Sequence, residues 1–304
     1  MRLAAILALA ACYSPQYRDC AFTCPENVCP GDLVCELGVC RDAPGRPACT
    51  TMPDAPSSDR DGDTIENDVD NCPDIANKNQ ANEDGDEFGD LCDPCPPVAG
   101  GGDQDGDGVG DDCDVSPGAD KITLFEGFHE PMPFGTQPTP NCWQFANDEA
   151  SVNGNSTTFC QLLWPRTLAA GHTSYRITAA MTLMGDEGTT GSARRVGLVD
   201  ELGALGGNGV LCEYGMGSNN EQTLLLYNAV TATTVASALA DAAIGTPAIV
   251  KLTFAAGSGY NCSALPVAPL ISGPPQSTIN SPLIGFQLRA VDATFRWILV
   301  VSAP

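Results

Sequence analysis

Histidine is almost missing from this chain: His129 and His172 are the only two in 304 residues. Neither HExxH nor GxSxG occurs in the sequence. A metal centre built on several histidines is excluded, and a Ser–His catalytic triad has no support. Basic side chains are scarce as well. The 14 Lys and Arg face 38 Asp and Glu, giving a formal net charge of −24. Nucleic acid is a poor partner for such a chain, because phosphate binding is carried by Lys and Arg. After the first dozen residues no apolar run is long enough to cross a bilayer as a helix. Helical periodicity with caps and length is missing too, and residues 235–243 (VASALADAA) are the one helical candidate.

The first twelve residues are MRLAAILALAAC. One Arg followed by a short apolar run reads as an export signal and not as a fold element. The end of this segment, Leu9-Ala10-Ala11-Cys12, resembles the bacterial lipobox. The resemblance implies removal of residues 1–11 and acylation of Cys12. Each buried CH₂ of an acyl chain adds about 0.8 kcal/mol of membrane affinity. The expected location is therefore the bacterial outer membrane or cell surface, on either face, through a lipid anchor. The alternative is an ordinary signal peptide beside a structural cysteine. Cysteine arithmetic favours the lipobox. Of 15 cysteines, setting Cys12 aside leaves 14, an even number that suits an exported, fully paired protein.

Residues 12–57 hold six further cysteines, Cys20, Cys24, Cys29, Cys35, Cys40 and Cys49, among few large apolar side chains. No sizeable core is possible there, so crosslinks must hold the segment. Disulfides suit an exported chain better than zinc, and no histidine lies nearby to share a zinc site. Six cysteines leave about 15 connectivities open.

Residues 59–114 carry half of the 38 acids, with Arg60 and Lys78 as the only bases. Such a block is either a solvated linker or a chelator. Three sets of side chains decide between them. They are Asp59, Asp61, Asp63, Asn67 and Asp70; Asn82, Asp84, Asp86, Asp90 and Asp93; and Asp103, Asp105, Asp107, Asp111 and Asp114. Each set fills positions 1, 3, 5, 9 and 12 of a twelve-residue loop, with Gly62, Gly85 and Gly106 at position 4. Oxygens alternating along a short turn can converge on one hard cation, and six to eight of them suit Ca²⁺ better than Mg²⁺. The position-7 carbonyls of Ile65, Phe88 and Val109 would complete the sets, as in an EF-hand loop.

The loops are not EF-hands, since position 12 is Asp and no amphipathic helices flank them. The intervening residues match another pattern. Asn71-Cys72-Pro73, the Asn77 to Gln80 spacer, and Cys92 and Cys113 before their closing acids closely resemble thrombospondin type 3 repeats. The resemblance implies an irregular, calcium-wrapped segment. Adjacency pairs Cys72 with Cys92 and Cys95 with Cys113. Closing a loop of roughly 20 residues contributes about 3 kcal/mol. The loops differ at position 6, where a sharp turn favours glycine. Only the third keeps it, as Gly108; the first has Thr64 and the second Glu87. The third loop is therefore expected to bind tightest, and the first to lose its ion before it.

After a junction at 115–120 (VSPGAD), residues 121–304 change character. Short alternating runs recur between Gly, Pro, Asn and Ser clusters. In SYRITAAMTLM, Tyr175, Ile177, Ala179, Met181 and Leu183 share one face at period two. Many such strands argue for a β-sandwich. Cys142, Cys160, Cys212 and Cys262 suffice for two bridges. Ile284 to Leu288, a short turn, and Ala293 to Trp297 resemble the closing hairpin of concanavalin-A-like and laminin-G-like jelly rolls. The expected whole is mainly β: a disulfide-rich module, calcium-wrapped repeats, and a jelly-roll sandwich.

Such sandwiches host binders and glycan hydrolases alike. A hydrolase needs two carboxylates flanking one bond. No strand here alternates acids, and Glu126, His129 and Glu130 cluster only at the start of the domain. The expectation is a protein that is not an enzyme. Its calcium-stiffened stalk would present a lectin-like domain to carbohydrate or to another envelope or extracellular protein. A hydrolase and a purely structural envelope component are the alternatives. Trp143, Trp164 and Trp297 are stacking candidates. Trp297, in step with Phe295 and Leu299, reads rather as core.

Overall fold

The computed structural model describes residues 33–36, 39–41, 59–129, 142–152, 159–168, 171–186, 193–200, 209–217, 221–241, 244–274 and 283–304. The signal segment, Cys12, Cys20, Cys24, Cys29 and Cys49 lie outside them. The chain divides into two compact units, Met1–Lys78 and Asn79–Pro304. In the first, β1 (Val34–Glu36) and β2 (Val39–Arg41) pair antiparallel with Cys35 opposite Cys40. Both cysteines are disulfide-bonded, and Cys40 is fully buried. The first acidic loop belongs to this unit; the second and third belong to the other.

The described residues of the second unit contain strands and no helix. In chain order the strands are β3 (Lys121–Glu126), β4 (Trp143–Ala146), β5 (Glu149–Val152), β6 (Phe159–Pro165), β7 (Ser174–Asp186), β8 (Arg194–Asp200) and β9 (Val210–Met216). They continue as β10 (Gln222–Asn228), β11 (Thr233–Leu239), β12 (Pro247–Ala255), β13 (Gly259–Leu265), β14 (Ala268–Gly273), β15 (Leu283–Arg289) and β16 (Val291–Ala303). A six-stranded sheet runs β11-β10-β9-β8-β15-β6, and an eight-stranded sheet runs β14-β13-β12-β7-β16-β5-β4, with β3 also paired to β16. All pairings are antiparallel. The fold is thus the mainly-β sandwich that the alternating runs predict.

Alternation builds the core. Tyr175, Ile177, Ala179, Met181 and Leu183 of β7 all enter one buried cluster with Val196 and Leu198 of β8 and Phe286 and Leu288 of β15. Phe286 and Phe295 meet across the sheets with ring centroids 4.4 Å apart, and Trp143 lies 5.1 Å from Phe295. Cys212 of β9 is bonded to Cys262 of β13, so a buried disulfide ties one sheet to the other. Cys142–Cys160 forms the other bridge of the sandwich.

Three expectations are corrected. First, β15 and β16 are not a hairpin. The turn at Ala290, with φ of 51°, carries the chain from the six-stranded to the eight-stranded sheet. Second, residues 233–239 are not helical but form strand β11, a sheet edge paired to β10, where Thr233, Thr234 and Val235 favour extension. Third, Trp297 does not share the face of Phe295. Phe295 pairs with Met181 and Trp297 with Ala180, so Arg296 is the extra residue of a bulge. Beyond it the alternation flips, leaving Phe295 in the central core and Trp297 on the outer face with Leu299 and Val301.

That outer face is covered. Trp297, Leu299 and Val301 pack against Cys95, Val109 and Cys113 of the acidic segment. Cys95 and Cys113 are disulfide-bonded. The third loop is thus seated on the sandwich.

Candidate functional site

The three acidic loops repeat one hydrogen-bond scheme, set by where each carboxylate finds backbone N–H groups. At position 9, Asn67, Asp90 and Asp111 accept from the N–H of Arg60, Glu83 and Gln104 and close the loops. At position 3, Asp61, Asp84 and Asp105 accept from the N–H of Asp63, Asp86 and Asp107. At position 5, Asp63, Asp86 and Asp107 accept from the N–H of Ile65, Phe88 and Val109 at 2.7–2.9 Å. The second oxygen of the same acids takes an N–H from beyond the loop: Asn77, Gly100 and Asp120. Each acid turns the chain around itself.

Position 1 accounts for the difference between loops. Asp59 and Asp103 each use both oxygens, on the N–H of positions 4 and 6. Asn82 has one oxygen, which takes Gly85, while its amide donates to the carbonyl of Asp86. A carboxylate can pull position 6 into a positive φ; an amide cannot do so with its NH₂ end. Accordingly Thr64 (φ 85°) and Gly108 (φ 94°) are left-handed, and Glu87 is not. A β-branched residue in that region is strained by about 1–3 kcal/mol. Thr64→Gly is expected to stabilise the first loop by about 1 kcal/mol. Differential scanning calorimetry and calcium titration of the variant check this, and an unchanged first loop would refute it.

The acids converge as clusters. Asp59, Asp61 and Asp63 lie with ligand atoms within 4.8 Å of one another, as do Asp84, Asp86 and Asp93, and Asp103, Asp105 and Asp107. Asp70 is buried beside the first cluster. The position-9 side chains each give one oxygen to loop closure. A fourth cluster joins Asp107 and Asp114 to Asp120, which is fully buried. Asp120 lies outside the twelve-residue frame, so spacing gave no sign of it. Its carboxylate gathers Val115 N–H, Ser116 N–H and the Ser116 hydroxyl.

Crowding shows in the electrostatics. Burial, then neighbouring acids, raise Asp93 to about 6. Burial and the Asp120 carboxyl raise Asp114, and burial raises Asp61 and Asp84. Asp103 goes the other way, held down first by the Gly108 N–H. Asp61 Oδ2, Asp84 Oδ2 and Asp114 Oδ1 are shielded from solvent and accept no hydrogen bond. Like-charged, desolvated oxygens with spare lone pairs fit a hard divalent cation.

The second loop is tied to the sandwich by charge. Glu83 pairs with Arg296 at 2.6 Å, and Asp90 with His129 Nε2 at 3.1 Å. The Asp90 contact raises the pKa of His129, and burial lifts Glu83 to about 7 against the pull of Arg296. Arg296 is the bulge residue, so the irregularity that flips Trp297 outward also aims this guanidinium at Glu83. Glu126 accepts from the Phe128 N–H and His129 is engaged by the loop, while Glu130 lies outside the described residues.

On the outer face of the six-stranded sheet, Gln161, Gln287 and Glu213 lie in one cross-strand row, linked by hydrogen bonds of 2.7 and 3.1 Å. Arg195 bonds Thr223 and offsets the Glu213 charge, while burial raises the Glu213 pKa. All three tryptophans are buried, at 3–7% exposure, so none stands on the open surface as a stacking platform; Trp297 lines a recess beside the third loop.

No protein-family profile matches the chain, and no curated protein matches it. Solved structures resemble its backbone loosely. The CBM2 module of the evolved Dit of Lactobacillus casei BL23 phage J-1 has a TM-score of 0.43 at 10% identity, over 60% of this chain and 95% of that one. The carbohydrate-binding module CBM66 of Bacillus subtilis has 0.40 at 14% identity, over 53% and 91%. A putative beta-glucanase from Mycobacterium abscessus has 0.40 at 7% identity, over 59% and 100%.

Proposed function

We propose that this chain is a calcium-binding, non-enzymatic binding protein. Its acidic loops load calcium and brace a β-sandwich that engages carbohydrate. The observation that carries the calcium reading is the repeated carboxylate scheme with buried, unaccepting oxygens at Asp61, Asp84 and Asp114. The residues that would hold the ions are the position 1, 3, 5, 9 and 12 side chains and the position-7 carbonyl of each loop, with Asp120 added at the third. Calcium would neutralise the mutual repulsion of these acids. The similarity to thrombospondin type 3 repeats supports the same choice of ion. The third loop, with Gly108 at position 6, is the tightest site in this reading.

Carbohydrate is the ligand class we assign to the sandwich. The Gln161–Gln287–Glu213 row, with Arg195 two residues along β8 on the same face, carries paired donors and acceptors of the kind that sugar hydroxyls use. Among the described residues of that face, Glu213 is the one carboxylate of the row, and hydrolysis needs two. Lipid attachment at Cys12 and display at a bacterial envelope complete the proposal. A glycan array with the full chain, run with calcium and with EDTA, tests it. Calcium-dependent binding to a defined glycan is expected. No binding in either condition would favour a purely structural envelope role. Turnover of a polysaccharide that disappears in Glu213→Gln would overturn the non-enzymatic reading.

A further inference from the structure

Beside the Trp297–Cys113 cluster, a cavity of about 300 Å³ opens between the third loop and the outer face of the eight-stranded sheet. Lys251 of β12, Thr178 of β7 and Leu299 of β16 are cross-strand neighbours and form its floor. Arg176, Trp297 and Asp112 contribute walls. The volume falls at the small end of ligand pockets, about 300–1,000 Å³.

The charge of this cavity runs against the rest of the chain. Two of only 14 basic side chains face it, in a protein with 38 acids. One Nη of Arg176 donates to the Cys113 carbonyl, but its Nε is shielded and has no acceptor. A shielded, unaccepted donor on a cation is costly, and an anion is its natural partner. Lys251 is pushed below its ordinary range by burial and then by the Arg176 charge, with only Asp112 opposing. Burial likewise lowers Arg176, against the pull of Asp120 and Asp114. One carboxylate placed between the two cations would relieve both. Around that point the walls offer an indole and a leucine for an apolar face, and the Thr178 hydroxyl and Asp112 carboxylate for hydroxyl groups.

We propose that this cavity binds a small hydroxylated carboxylate of the size of a single uronic acid residue. Its carboxylate meets Arg176 and Lys251, its hydroxyls meet Asp112 and Thr178, and its ring lies against Trp297 and Leu299. The site is separate from the six-stranded face and does not depend on the assignment of that face.

The test titrates the full chain with galacturonate, galactose and acetate, reading heat and tryptophan emission. Galacturonate is expected to bind saturably, and galactose and acetate at least about tenfold more weakly, since each lacks one half of the recognition. Lys251→Met is expected to weaken galacturonate about tenfold or more while melting at the wild-type temperature. Trp297→Phe should keep the heat and lose the emission change, which places the sugar at that indole. Galacturonate bound no better than galactose or acetate would overturn the proposal. So would unchanged binding in Lys251→Met, or an emission change that survives in Trp297→Phe. If glycan binding on the array fails while galacturonate binds here, the sheet-face reading falls and this site stands.

Discussion

Replacing Trp297 by alanine is expected to destabilise the second unit by about 3–5 kcal/mol, the usual cost of emptying a large buried aromatic site. The indole is 7% exposed and is the largest member of the cluster that seats the Cys95–Cys113 disulfide and Val109 on the sheet. The effect should have two parts. Part is the ordinary loss of apolar contact. The rest comes from the third loop, which loses its seat and holds its acids less firmly in place. Denaturant unfolding measures the first part. The second appears as faster proteolysis within residues 94–120 and weaker calcium binding at the third loop. Trp297→Phe keeps most of the contact and should retain most of both. A loss below about 1 kcal/mol in the alanine variant would show that the loop and the sheet are not energetically joined.

Chelation of calcium is the second large perturbation. Extracellular calcium modules bind with Kd near 10⁻⁴–10⁻³ M. At ten- to a hundredfold excess over Kd, one site stabilises the folded state by about 1.4–2.7 kcal/mol. The second and third loops share a unit with the sandwich. Removing their ions should therefore lower the melting temperature of the sandwich itself, and not only loosen the acidic segment. The expected result in EDTA is a fall of roughly 5–20 °C for two ions, given that 1 kcal/mol is about 2–4 °C for a domain of this size. Scanning calorimetry across a calcium series checks it, and the midpoint should rise with the logarithm of free calcium. A sandwich transition indifferent to calcium would show that the loops bind no ion or transmit nothing. Acid should displace the ion as a chelator does, while relieving the repulsion at Asp93 that weakens the ion-free loop. Asp93 takes its proton at about 6, above its unfolded value, so protonation of the folded loop becomes favourable as pH falls toward that point. A proton held there blocks a ligand oxygen.

Much of this arrangement is legible in the sequence where one rule acts alone. The loops follow from side-chain spacing, because a turn wrapped on its own carboxylates needs acids at fixed intervals. The β7 face follows from alternation, because Tyr175 to Leu183 point into one core without interruption. Legibility fails where two rules overlap. Trp297 stays in step with Phe295 in the sequence, yet the bulge at Arg296 separates them. Both faces of β16 are apolar there, since the acidic segment covers the outer one, so the pattern carries no mark of the flip. The turn at Ala290 has the length of a hairpin turn, and length alone does not say whether two strands pair or change sheets. Residues 235–243 are rich in Ala, which suits a helix, but the upstream Thr233 and Thr234 and the pairing with β10 hold β11 extended. Asp120 sits just past Gly118 in what reads as a linker, and only three dimensions bring it to Asp107 and Asp114.

The position of β16 has a consequence for how the protein comes into being. This strand runs through the middle of its sheet, between β7 on one side and β3 and β5 on the other. Ser302 and Lys121 meet across 181 positions of chain. Closing so long a loop delays folding, because the entropy is lost before the contacts repay it. The platform of Trp297, Leu299 and Val301 does not exist until β16 arrives. A chain emerging N-terminal end first therefore makes its second and third acidic loops long before they have a surface to rest on. In the proposed reading, a bound calcium ion would order them during that interval and stand in for the missing strand.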